Sequence, residues 1–516
     1  LHLTKRLERY LRKELIHRTA EATDGFYRLS FDNLSISFFK GELTLEGIKL
    51  CPDSAVFRDW ERKDSLPSVY VAAEVGMIDF KGLNLTWRRS YKQLHFDSFE
   101  IRNPDIQVFN PYYSTRAEVK ERKEAEIKTL YEVVSPYINV LTVRILNLEN
   151  ASVSYSVENP VSPIVYALND VSFHAYGFRL DENSSESGKL LYCDNFDFIT
   201  KRSQTLLANN DFRLQTDRIL LSTEDSIISI SNITLTPQGE LWGEQKKRPD
   251  SYLNALIRAI EVKGIQFRRE NALNYLTARS LDIISSDIQA FNLAGESLPS
   301  AKKTEKKSLN EAEADSLVRS LSLYELISPV LHTVSIGTVG IGQAKLQYSF
   351  AVKDKIEVYK LANFDFQAND FRIDSVSETQ RGFWYSRGFS FEATGIEGLM
   401  TARNHRFTVK RMTLDTESGD FNLERIRLYP LSVCGQNDYM AGSIDTVGIR
   451  GLLYDKGISA RLLKIDRPNL RYVLVSSFNK KDVKSVKPAN SRVDVESILN
   501  PFLRYFSVKR LSLNHA

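Results

Sequence analysis

The residue types that do chemistry are all present in this chain, but their spacing does not assemble the familar sets. Seven histidines stand at 2, 17, 95, 174, 332, 405 and 515, without an H-x-x-x-H pair to hold a metal. A lone strand histidine such as His174 needs partners within reach before it can act as ligand or base. Cys51, Cys193 and Cys434 form no C-x-x-C. They read as separate buried or half-buried thiols, not as zinc ligands or a disulfide frame. Gly340-Ile-Gly342 suggests a dinucleotide loop, yet the third glycine and a following helical pattern are missing. G-x-S-x-G and phosphate-loop signatures are also absent. The expectation is a non-enzymatic protein without cofactor or metal.

The spacing that does carry chemistry is apolar. Leu43, Leu45, Ile48 and Leu50 fall at i, i+2, i+5 and i+7 ahead of Pro52. Ile228, Ile230, Ile233 and Leu235 repeat this ahead of Pro237, and Phe421, Leu423, Ile426 and Leu428 ahead of Pro430. Alternation predicts strands with one dry and one wet face. The extra residue between i+2 and i+5 would turn the second half to the wrong face unless a β-bulge absorbs it. Gly47 and Asn232 stand there and tolerate positive φ. Arg425 does not fit, so the third copy calls for a bulge without positive φ.

Other slots repeat in the same order. Ile78 and Phe80 before Gly82 match Ile260 and Val262 before Gly264, and Val447 and Ile449 before Gly451. Ile101, Ile106 and Val108 around Pro104 match Ile465 and Leu470 around Pro468, and Ile283 with Ile288. A mid-strand proline suits an edge or a bulge. Phe173 and Phe198 align with Phe366 and Phe391. The polar positions between, Glu46, Lys49, Asp79, Lys81, Glu261, Lys263, Glu424 and Arg427, read as a wet face.

Elements that would position these residues follow from the recurrence. Pro52 to Pro237 spans 185 residues and Pro237 to Pro430 spans 193; Gly82 to Gly264 spans 182 and Gly264 to Gly451 spans 187. Charged stretches at 112–129, 294–316 and 479–492 each precede a short helix ending at Pro136, Pro329 or Pro501. The chain thus reads as an internal repeat. Its parts are a helix over 1–25, β units over 26–137, 138–330 and 331–501, and the start of another over 502–516. In the first helix, Leu3, Leu7, Leu11 and Leu15 recur among basic residues, and Asp24-Gly25 ends it. This helix suits a membrane surface or the end of a sheet.

Composition sets bounds. The chain has 516 residues, 42% hydrophobic and 26% charged, with net charge +4, which argues against nucleic acid as partner. No run of 18 apolar residues exists to span a bilayer as a helix. A first residue other than Met suggests a trimmed piece whose membrane anchor is missing.

The bent-strand spelling, the run from Leu34-Ser-Ile36-Ser-Phe38 to Leu50 and the basic helix before it resemble the AsmA-like family. That family is the bacterial branch of the repeating β-groove, bridge-like lipid-transfer proteins. The resemblance implies a mainly β fold: an elongated, curved, taco-like antiparallel sheet forming a groove, about three long repeats, an N-terminal helix and short helices between repeats. It implies an inter-membrane carrier conducting phospholipid acyl chains across the periplasm from inner towards outer membrane. Anchoring would be through an N-terminal helix in the inner membrane, with an outer-membrane or periplasmic protein as possible partner. Lining such a groove would remove most of the roughly 12 kcal/mol needed to expose a 16-carbon tail to water. The alternative is an elongated β-repeat scaffold or adhesin whose apolar positions pack a closed, dry core.

Overall fold

The structure is a computed structural model that describes all residues except 1, 38, 64, 68, 89–90, 111–130, 132–133, 136–137, 158–163, 185–188, 208–211, 238–250, 271–272, 293–331, 353–354, 375, 377–384, 433–438, 455–457, 474–505 and 516. The fold is mainly β, with a large, mixed, mostly antiparallel sheet of many strands. The chain forms two compact units, Leu1–Lys246 with Arg258–Arg279, and Lys247–Ile257 with Ser280–Ala516.

The first unit opens with α1 (His2–Ala22), β1 (Tyr27–Ser30), β2 (Asn33–Ser37), β3 (Glu42–Pro52), α2 (Ser54–Arg62), β4 (Tyr70–Lys81), β5 (Asn84–Arg88) and β6 (Tyr91–Asn110). It continues with β7 (Val140–Val157), β8 (Ile164–Leu180), β9 (Asn195–Leu207), β10 (Phe212–Thr216), β11 (Arg218–Ser222) and β12 (Ile227–Pro237). β13 (Ser251–Lys263), β14 (Gln266–Glu270) and β15 (Leu273–Asn292) follow, with β15 pairing both β13 and β14. The second unit adds β16 (Thr333–Val352), β17 (Lys355–Ile373), β18 (Gly388–Met400), β19 (His405–Asp415), β20 (Asp420–Pro430) and β21 (Tyr439–Arg450). Its last strands are β22 (Leu453–Tyr454), β23 (Ile458–Ala460), β24 (Leu462–Val473), β25 (Phe506–Val508) and β26 (Leu511–Asn514).

Strand bounds recur with the predicted offsets: β3, β12 and β20 are each 11 residues long and begin at 42, 227 and 420. β6 and β15 are each 20 residues long and begin at 91 and 273. Pairing corrects one expectation, since the ladders are not all antiparallel. β6 pairs β7 in parallel, and so does β24 with β26. A parallel pair needs a crossover of a dozen or more residues, which the long 111–139 connection supplies. Within that connection a helical turn is described at Ser135 N to Tyr131 O, 2.7 Å. The three charged stretches and the Pro329 and Pro501 helices lie outside the described residues, as do the unit boundaries at 137, 330–331 and 501–502 and Cys434.

The extra residue in the apolar spelling works differently from a bulge. Between the pairs Glu46/Met77 and Ile48/Val75, β3 and β4 each hold one residue, Gly47 and Gly76. Gly76 in turn falls level with Asn103 of β6, between Met77/Arg102 and Val75/Pro104. Register is therefore continuous across β3, β4 and β6, because each of them carries its extra residue at the same level. Each strand bends there, and the bends form a line across the ladder. In the second unit Arg425, Asp445 and Arg467 form the same line on β20, β21 and β24. A two-against-one mismatch remains at β7/β8 around Ala151 and at β16/β17 around Ala344.

Positive φ occurs on this line at Gly47 (62°), Asn103 (51°), Asn232 (50°), Arg425 (51°) and Arg467 (49°). Arg425 thus corrects the expectation of an ordinary φ. The bend itself dictates the conformation, and the exposed side chain tolerates it at a cost of about 1–2 kcal/mol. Pro104 corrects another: it is fully buried in β6, between two neighbouring strands. Its missing N–H falls where the β7 pairing steps from Arg102/Glu149 to Asp105/Ser152.

α1 ends as the sequence indicates, with positive φ at Asp24 and Gly25 and a 2.7 Å bond from Gly25 N to Ala20 O. It seats on the sheet end through Leu11, against Phe31, Leu34, Leu45 and Ile48. Arg12 donates to the carbonyls of Phe31 and Asp32, both at 2.9 Å, with its guanidinium 4.6 Å above the Phe31 ring. In the second unit, Asp466 receives bonds from Lys464, Asn514 and Thr446, which tie β26 to the ladder.

Two outcomes follow. Gly47→Ala should lower the unfolding free energy from denaturant titration by roughly 1–3 kcal/mol, since its Cβ would lie 2.1 Å from Asp32 Oδ2 at positive φ, whereas Arg425→Gly should hold or raise it. The bond from Lys464, then that from Asn514, hold the Asp466 carboxyl down to about 2 from 3.8. Its stabilisation is present above its unfolded value and disappears as pH falls towards 2, so Asp466→Asn should flatten the acid limb of an unfolding-midpoint profile.

Candidate functional site

Paired residues share a face, so register reveals what each apolar position meets. In the first unit one row runs Leu34, Leu45, Ile78, Ile101, Leu148, Phe173, Phe198, Leu221 and Ile228. A second runs Ile36, Leu43, Phe80, Phe99, Leu146, Ala175 and Phe196. Beyond the line of bends, Leu29, Leu50, Ala73, Ile106, Val153 and Leu168 form a third. Ile48 meets Val75, Val108 meets Val71, Ile230 meets Ile219, and Leu235 meets Leu214. The bends thus keep both halves of each strand dry on the same side.

The second unit repeats the arrangement. Ile341, Phe366, Phe391, Leu414, Phe421, Ile449 and Leu463 make one row. Ala344, Phe364, Ala393, Met412, Leu423, Val447, Ile465 and Leu513 make the next. Leu346, Leu361, Ile396, Val409, Ile426 and Ile444 make another. Leu428 meets Phe407, while Leu470 meets Gly442.

Burial along these rows is incomplete. Leu45, Ile48, Ile233 and Phe366 are buried, Leu45 and Ile48 in the cluster on which α1 packs. Leu43, Leu50, Ile78, Phe80, Ile101, Ile106, Val108, Phe173, Phe198, Ile228, Ile230 and Leu235 are half-buried. So are Ile260, Val262, Ile283, Ile288, Phe391, Leu423, Ile426, Leu428 and Ile465. Leu470 departs from the pattern at 54% exposure, because described β26 pairing stops at Asp466 and leaves it at an open edge. Aromatic contacts join neighbouring strands on this face, such as Phe80 with Phe99 at 4.5 Å and Phe173 with Phe196 at 5.5 Å.

Sequence reasoning missed one set of contributors. Ile219 with Leu221, then Val409, Met412 and Leu414, line the same rows. Val409, Met412 and Leu414 fall at i, i+3 and i+5, the last three positions of the same apolar spelling without its first.

The other face is polar but less uniformly wet than expected. Glu46, Lys49, Lys81, Lys263 and Arg427 are exposed and Glu261 and Glu424 half-buried. Asp79 is a correction: it is 7% exposed, held by Thr44 Oγ1 at 2.7 Å and Lys81 Nζ at 3.0 Å. In the second unit a concavity of about 860 Å³ is bordered by Thr338, Gly340, Gly342, Gln367, Glu392 and Asp415. Gly340 and Gly342 lie within strand β16, where they leave space instead of forming a phosphate loop. Two carboxylates there already have partners: Glu392 grips Arg411 through two 2.8 Å bonds, and Asp365 accepts from Gln343 N. Among the described residues no cluster has the make-up of a metal site. His95 meets Thr142 Oγ1 at 2.8 Å and His174 meets Asn147 Oδ1 at 3.0 Å, both partners on neighbouring strands.

Comparison of the sequence with protein-family models gives no match, and comparison with curated proteins gives none either.

The cysteines differ from each other. Cys193 is buried, and burial, then Asp194, pushes its thiol up to about 11; Cys51 is exposed, contrary to expectation. A maleimide at neutral pH should label Cys51 rapidly and Cys193 only after unfolding, as read by peptide mass spectrometry.

Proposed function

We propose that this chain is a lipid carrier of the AsmA-like kind, a curved groove of repeated units whose apolar face holds phospholipid acyl chains. The observation that supports this reading is the unbroken apolar row across nine strands of the first unit, most of it half-buried. At about 4.8 Å per strand such a row runs close to 40 Å, more than the roughly 30 Å hydrocarbon thickness of a bilayer. An acyl chain laid along it meets side chains of similar polarity throughout, so movement costs little at any point. The headgroup stays outside, at the polar rim. Function in the periplasm, anchorage to the inner membrane, delivery towards the outer membrane and a protein partner there belong to the same proposal.

The test is Ile230→Glu, assayed for folding and for transfer of labelled phospholipid between vesicles. A roomy lining accepts the carboxylate with little change in melting temperature but loses transfer by tenfold or more (about 1.4 kcal/mol). Unfolding of the variant, with no phospholipid bound to the parent protein, would favour a closed scaffold.

A further inference from the structure

The outward side of α1 is not accounted for by the sheet. Successive residues of a helix turn by about 100°. Positions 5, 6, 9, 10, 13, 16 and 17 therefore share one face. They are Lys5, Arg6, Arg9, Tyr10, Lys13, Ile16 and His17, all exposed, with Tyr10 at 61% and Ile16 at 39%. Arg12 and Leu11 point elsewhere, into the strands. Two of the helix's carboxylates are off this stripe, Glu8 accepting from Ile36 N and Glu14 holding Arg18 at 2.7 Å, while the exposed Glu21 borders its end, 4.0 Å from His17. Arg9 Nε donates to the Lys5 carbonyl, and among the described residues no ion pair engages Lys5, Arg6, Arg9 or Lys13.

We infer that this stripe docks on the surface of an anionic lipid bilayer, with α1 lying along it. The assignment rests on charge complementarity: four cations without an ion pair face outward against one acid, Glu21, at the end of the stripe, and two amphipathic or apolar side chains sit among them at headgroup depth. The helix is not long and apolar enough to cross a bilayer. Its seat on the first strands would place the apolar face of β1 to β3 beside the membrane. This docking stands apart from the transfer reading, since a surface-bound scaffold could use it equally.

The experiment is co-sedimentation of the full chain with vesicles of phosphatidylcholine alone or mixed with phosphatidylglycerol. Binding should appear only with the anionic lipid and fall steeply with added salt. Arg9→Glu combined with Lys13→Glu should weaken it by more than about tenfold, each cation contributing about fivefold. Arg9→Lys should bind as the parent does, and circular dichroism and melting should confirm that each variant folds. Equal binding to neutral vesicles, or undiminished binding by the charge-reversed variant, would overturn the inference. Binding to soluble polyglutamate as tight as to vesicles would also overturn it, in favour of an acidic protein. Loss of vesicle binding with intact lipid extraction in detergent-free solution would separate this docking from the transfer reading.

Discussion

The arrangement depends on a shared bend. A strand with one extra residue would normally turn half of its apolar side chains into water. Here the neighbours bend at the same level, so Gly47, Gly76 and Asn103 lie side by side and the ladder keeps its register. The dry face survives the bend because it is collective. A bulge confined to one strand would have shifted its neighbour, and successive shifts would have mixed the two faces.

The bend also ties local conformation to packing. Positive φ falls on Gly47 and Asn103 but not on Gly76, and on Arg425 and Arg467 but not on Asp445. Along β3, β4 and β6, and along β20, β21 and β24, neighbouring strands thus take the unusual conformation in turn, whereas β7 and β8 both carry it, at Asn150 and Asp170. Polar side chains hold the line at several places: Asn232 donates to Asp217 at 2.8 Å, and Arg467 meets Asp445 at 2.8 Å. Neither residue intrudes on the apolar rows. Strain along the line is offset by the burial that each row retains.

Much of this was legible in the chain itself. Apolar spacing located β3, β12 and β20 to within one residue, and Asp24-Gly25 marked the end of α1. The parallel pairing of β6 with β7 was not legible, since partners joined by a long connection leave no local signature. Arg425 misled because propensity describes a residue alone, while the bend is shared with the neighbouring strands β21 and β24. Asp79 misled for a related reason: alternation tells which side a residue faces, not how deeply its own side is covered. The rows themselves could be inferred only in part, since Val409, Met412 and Leu414 carry only part of the apolar spelling. What the apolar face contacts is a question of occupancy, which no pattern of residues answers by itself.

The most direct measurement is photo-crosslinking with a phospholipid carrying a diazirine in its acyl chain, followed by peptide mapping. The account predicts adducts on row residues such as Leu148, Phe173 and Leu423, and none on their polar-face neighbours Asn147 and His174. Adducts confined to the polar face, or absent from a folded protein exposed to the lipid, would contradict it.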